Sequence, residues 1–133
     1  MRDILFRGKT VDNGGWVEGN LIHRKLANGK SDYLIESCDF HEYRQWEVIP
    51  ESVGQFIGLP NKNGVKIFDG DVLENEDGDE VCHTLIFWDD TICGFSDKRD
   101  FDGDSFTIHN GDMLWVLDCE VIGNIFDSPD LIK

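Results

Sequence analysis

Residues 58–73, GLPNKNGVKIFDGDVL, alternate turn chemistry with short apolar runs. Asn63-Gly64 is a dipeptide favoured where both residues of a tight loop need positive φ, so it predicts a two-residue hairpin loop. Gly70-Asp71 supplies the next reversal, because glycine accepts unusual backbone angles and aspartate bonds to its own turn. Between and after these turns, Val65, Ile67, Val72 and Leu73 are apolar and mostly β-branched, as strand residues are. Gly58 opens the stretch, and with Gly54 it brackets Gln55-Phe56-Ile57, which implies backbone bends around a strand.

The same grammar extends in both directions. Gly14-Gly15 precedes Trp16, and Trp16, Val17, Leu21 and Ile22 suit a strand on either side of Gly19. Asn28-Gly29 reads as a hairpin turn whose return strand is 33–36. Residues 46–49 form another extended segment, closed by Pro50. Asp77-Gly78 reads as a hairpin tip between Val72-Leu73 and a strand over 81–88. Residues 113–121 fit a buried strand or a short helix, and Val121-Ile122 followed by Gly123 favours strand. Ser128-Pro129-Asp130 is expected to cap one terminal helical turn, with Pro129 at its first position. No segment keeps a helical period for a dozen residues. The pattern predicts a mostly β protein.

Residues 1–22 (MRDILFRGKTVDNGGWVEGNLI), 48–64 (VIPESVGQFIGLPNKNG) and 120–132 (EVIGNIFDSPDLI), taken in order, resemble the YopX-like family of small phage and prophage proteins. The opening block carries its F-R-G-K element and Gly-bounded W-V-x-G strand. The middle block and the closing one, with Gly123, Asn124 and Pro129, follow the family's other elements. Asn61 stands where Asp is expected and Asp69 where Glu is usual, while the stretch from 77 to 113 matches weakly. The resemblance implies a phage or prophage setting and a small SH3-like β-barrel in the C-terminal part; the first 49 residues are expected to add an N-terminal β-hairpin subdomain. The expected division is 1–49 and 50–133, within one compact unit.

Charge follows that division. Residues 1–49 hold seven lysines and arginines against eight aspartates and glutamates, whereas residues 50–133 hold five against nineteen. So acidic a second part repels phosphate backbones, which argues against direct nucleic-acid binding. It favours solubility, or contact with a basic protein partner. No apolar run nears the ~20 residues that span a bilayer, and the charged N-terminus does not read as a signal peptide. No membrane association is expected, and the location expected is the cytoplasm of a bacterial host.

Candidate chemistry is sparse. Cys38, Cys82, Cys93 and Cys119 lack any C-x-x-C pair, and Cys82 and His83 must point to opposite faces of a strand, so no zinc site is expected. In the cytoplasm such scattered thiols are expected to be reduced and buried. Asp97, Asp100, Asp102 and Asp104 surround Gly103, but the glycine and glutamate spacing of an EF-hand is missing, so a solvated loop is expected. Glu74 and Glu76 read as solubilising charge beside a hairpin tip. His23, His41, His83 and His109 sit in no nucleophile motif, and no phosphate-binding glycine loop occurs. Trp16, Trp46, Trp88 and Trp115 are expected in the barrel core, with one or two exposed in a peptide groove as the alternative. No catalytic, cofactor-binding or metal-binding residue is assigned. Gly58, Asn63, Gly64, Gly70, Asp71, Gly123, Asn124 and Pro129 are motif and structural positions. The function expected is a non-enzymatic phage accessory protein acting on a protein partner, basic or a second copy of itself. The alternatives are an acidic inhibitor or DNA mimic directed at a host nucleic-acid-binding protein, and then a small metal-dependent hydrolase.

Overall fold

Strands follow one another through nearly the whole chain. The computed structural model describes residues 2–39, 41–101, 104–109 and 113–132. They divide into two units, Met1–Phe56 and Ile57–Lys133. Strand β5 (Gly54–Pro60) begins in the first and ends in the second.

The first unit is a meander of β1 (Phe6–Lys9), β2 (Trp16–Lys25), β3 (Ser31–Cys38) and β4 (Tyr43–Glu47), completed by the start of β5 beside β1. All neighbours are antiparallel, in the order β4-β3-β2-β1-β5. The ten-residue β2 has two successive partners: Trp16 to Gly19 pair with β1, and Asn20 to Lys25 pair with β3. Gly19 sits at that change, where any Cβ would collide with the backbone carbonyl of Glu36. Leu34, Ile35, Val48 and Phe56 are buried. Pro50 opens a one-turn 3-10 helix, Pro50–Ser52, and the Ser52 hydroxyl accepts the Lys9 N–H at 2.8 Å.

In the second unit, the later part of β5 pairs with β6 (Lys66–Phe68). A separate antiparallel sheet contains β7 (Asp71–Asp77), β8 (Glu80–Asp89), β9 (Gly94–Phe101), β10 (Asp104–His109) and β11 (Glu120–Asn124), in the order β10-β9-β8-β7-β11. Ile67, Leu73, Ile86, Val116 and Cys119 form its core, with Ile57, Leu59, Met113, Trp115 and Val121 packed around them. The mostly β expectation holds. A closed barrel is not found among the described residues, because β10 and β11 remain the two edges of this sheet.

Local differences have local causes. The loop at Asn63-Gly64 has three residues, not two. Gly64 N–H donates to the Asn61 carbonyl and Asn61 N–H to the Val65 carbonyl, at 3.1 and 2.8 Å. Only Gly64 takes positive φ, 77°, so this is a type I turn closed by a left-handed glycine. Asn61 organises it: its buried Oδ1 accepts the N–H groups of Asn63 and Val65, both at 2.9 Å. The next tip is Gly78-Asp79, since Asp77 still pairs with Glu80. Residues 113–121 split into a 3-10 helix, Leu114–Asp118, and the start of β11. Pro129 does open a terminal 3-10 turn, Pro129–Leu131, but the Ser128 side chain makes no capping bond.

Candidate functional site

Strand β11 ties the motif residues together. Its last residues, Gly123 and Asn124, pair with Val72 and Asp71, and the Ile125 N–H then bonds to the Gly70 carbonyl at 2.9 Å. Gly70, Asp71, Gly123 and Asn124, distant in sequence, therefore lie at one end of β7. Buried Asp71 accepts the Phe68 N–H at 2.8 Å and fixes the bend between β6 and β7. Asn124 Oδ1 accepts the Asp127 N–H at 2.8 Å. Gly123 faces the turn that Pro129 opens, since a Cβ there would lie 2.8 Å from Leu131 Cδ1. Asn63 and Gly64 sit in the loop after β5, and Gly58 is an exposed bend within β5 with φ 97°. Asp71 and Asn124 thus bind backbone N–H groups through their side chains, and Gly58, Gly64 and Gly70 take positive φ.

The opposite end of β11 borders a groove of about 440 Å³. Its geometry follows from strand lengths. Glu120, the first residue of β11, pairs with Glu74, but β7 runs on through Asn75, Glu76 and Asp77. Those three residues pair with β8 on one side and, among the described residues, with no strand on the other. Trp115 and Asp118, from the 3-10 helix before β11, line the space so left, with Lys62 from the loop after β5. The Lys62 N–H bonds to the Cys119 carbonyl at 3.2 Å, and its ammonium reaches Glu120 at 3.1 Å.

Alternation gives this groove two different sides. Leu73 belongs to the core, so Asn75 shares the core-facing side of β7, where Trp115 packs. Glu74 and Glu76 share the other side, together with Glu120 opposite Glu74. Carboxylates outnumber the single lysine along the lining. Trp115 carries a cation already: the Arg99 guanidinium lies 5.0 Å from its ring centroid. The indole N–H of Trp115 is buried and meets no acceptor among the described residues.

Other candidates disperse. His83 Nε2 lies 3.2 Å from Glu74 Oε2, both half-buried. Cys82 is buried while His83 is not, as strand alternation requires. Cys82 and Cys119 are buried, but Cys38 and Cys93 are exposed, against the expectation that all four would be inside. Burial pushes the Cys119 thiol up to about 11. Among the described residues, no three His, Cys, Asp or Glu side chains gather as metal ligands. The solvated-loop reading of 97–104 fails at Asp97, which is fully buried in β9 with Arg99 at 3.5 Å. Asp100 and Asp104 lie in β9 and β10, and Asp102 and Gly103 lie outside the described residues. The expectation of core tryptophans is met only in part: Trp88 is 44% exposed, while Trp16, Trp46 and Trp115 are half-buried, with Trp115 packed against the core of the second unit. Trp16 instead lies beneath Arg7 and Lys9, and Trp88 packs edge-on against Phe95.

The model of the YopX protein family matches residues 5–133. The chain belongs to the YopX family. Among solved structures, it is similar to the crystal structure of protein EF1440 from Enterococcus faecalis, at 18% identity and a TM-score of 0.50 over all of both chains. At that identity the likeness concerns the fold. No curated protein matches. Two of the sequence blocks that suggested the YopX family contain Asn61 to Gly64 of the loop after β5 and the whole of β11. The groove residues Glu74, Glu76, Trp115 and Asp118 lie outside those blocks. Among the described residues, no helix of this YopX-family chain is long and apolar enough to cross a membrane.

Proposed function

We propose that this YopX-family chain is a phage or prophage accessory protein that acts in the bacterial cytoplasm by holding a basic protein partner, without catalysing a reaction. The observation that carries this reading is the groove beside β7, an open space with an aromatic wall and more carboxylates than cations. Charge across the unit agrees with it, since residues 57–133 hold five basic residues against eighteen acidic ones. Such a field speeds encounter with a basic partner and repels acidic ones. The strand order β10-β9-β8-β7-β11, with a 3-10 turn just before β11, supports an SH3-like arrangement for this unit, although its edges stay open.

A second reading, an acidic inhibitor that occupies a host nucleic-acid-binding protein, draws on the same charge excess. One experiment addresses both. Tagged protein is exposed to a bacterial host extract at low ionic strength, then washed with rising salt. The proposal expects a basic protein that is retained and then released by salt. Release by added duplex DNA would favour the inhibitor reading. Metal-dependent hydrolytic turnover, with nothing retained, would overturn both.

A further inference from the structure

We infer that the groove receives an extended peptide segment as an added strand on β7, with basic residues alternating with apolar ones. This rests on the reading of the protein as a partner-binding module and names the chemistry of what it binds. Three features converge. The groove lies where β11 stops at Glu120 while β7 continues, so the backbone of Asn75, Glu76 and Asp77 has a vacant neighbouring lane among the described residues. A vacant lane of this kind accepts an extended peptide through main-chain hydrogen bonds, with alternate side chains setting specificity. Three residues of strand span about 10 Å, enough for one short segment.

The second feature is the difference between the sides of that lane. A strand added to β7 sends alternate side chains to opposite faces. One set passes Glu74, Glu76 and Glu120, where lysine or arginine is matched. The other set passes Asn75 and Trp115, where an apolar side chain or the stem of a long one packs. The third feature is that the protein already seats a guanidinium over Trp115, through Arg99. Charge complementarity selects a basic peptide over an acidic one, and the alternation of the two faces selects an extended peptide over a helix.

The probe is the capped hexapeptide Lys-Val-Lys-Val-Lys-Val carrying a fluorophore, with anisotropy giving affinity and amide NMR giving location. The amides of Asn75, Glu76 and Asp77 are expected to shift, and those of β2 to β4 to stay. Glu76→Gln and Glu120→Gln are each expected to weaken binding roughly two- to fivefold, the range of partly exposed charge pairs. N-methylation of alternate peptide nitrogens on the pairing side is expected to cost about tenfold, since it removes strand bonds and keeps the charge. Equal affinity for Lys-Lys-Lys-Val-Val-Val would reduce the effect to bulk charge and overturn the inference. Absence of binding at low ionic strength, or shifts confined to the first unit, would overturn it too. Self-association that Glu76→Gln abolishes would make a second copy the occupant and also overturn it. A partner captured from host extract equally by wild type and by the Glu76→Gln, Glu120→Gln double variant would leave the binding-module reading standing and remove the groove from it. Specific peptide binding in the groove, with nothing captured from extract, would do the reverse.

Discussion

Replacing Gly64 by valine isolates the backbone cost of the loop between β5 and β6. Gly64 has φ 77°, and a Cβ there would meet nothing within 4 Å. Collision with neighbours therefore contributes little, and the penalty is the left-handed conformation itself. That costs an L-residue about 1–2 kcal/mol, toward the upper end for a β-branched side chain. Valine also restricts the unfolded chain more than glycine does, which returns a few tenths of a kcal/mol or more. The net loss is about 1–2 kcal/mol, a fall in the melting midpoint of roughly 3–10 °C for a chain of this size. Asn63→Val is the internal control, because Asn63 keeps a negative φ and is exposed. It should change stability by less than about 0.5 kcal/mol. Gly64→Asn should fall between the two, since asparagine tolerates the left-handed region. Thermal unfolding followed by circular dichroism compares all three. Equal losses at 63 and 64 would restore the two-residue loop, in which both residues need positive φ. No loss at 64 would refute the turn altogether.

Purified protein should not retard duplex DNA in a gel-shift assay at near-physiological salt, since five basic residues face eighteen acidic ones in the second unit. Salt-sensitive micromolar binding would point to the first unit, where Arg7 and Lys9 already gather over Trp16. Calcium and chelators should leave the melting curve almost unmoved, because Asp97 is buried beside Arg99 and does not face solvent. A calcium-dependent rise of several degrees would contradict that, as a tight site on the folded state adds several kcal/mol. A thiol reagent at pH 8 should modify Cys38 and Cys93 quickly, and Cys82 and Cys119 only after denaturation. Cys119 is doubly protected, being buried and with its thiol pushed up to about 11, so little thiolate forms at that pH. Four fast thiols in the folded protein would show that the second core is not packed as described.

Turn chemistry was the most legible layer of this sequence. Gly64, Gly70 and Gly78 each mark a change of direction, because positive φ leaves few other residues available. Register was less legible, since it is fixed by which strands meet. Asn61 controls its loop through a side chain two residues before the dipeptide that drew attention. Glu74 and Glu76 read as charge beside a hairpin tip, and only the short length of β11 turns them into the wall of a groove. That groove draws on Lys62, on β7 and on residues 115–120, segments that no local pattern connects. Asp97 was misread because a polar run suggests solvent. The signal that could have corrected it was Arg99, two residues on and therefore on the same face of a strand. Size suggested the core for the tryptophans, but Trp88 is 44% exposed, and the half-buried rings of Trp16 and Trp115 also carry Arg7, Lys9 and Arg99 over them.

The most direct measurement is quantitative capture from host extract by wild-type protein and by the double variant Glu76→Gln, Glu120→Gln, run side by side at one low ionic strength. Matching melting midpoints must first establish that both proteins are folded. Wild type should retain a basic protein, and the double variant should lose most of it, roughly four- to twenty-fivefold if the two charge pairs act independently. Retention of the same protein in equal amount by both would contradict the claim that this groove is where the YopX-family chain meets its partner.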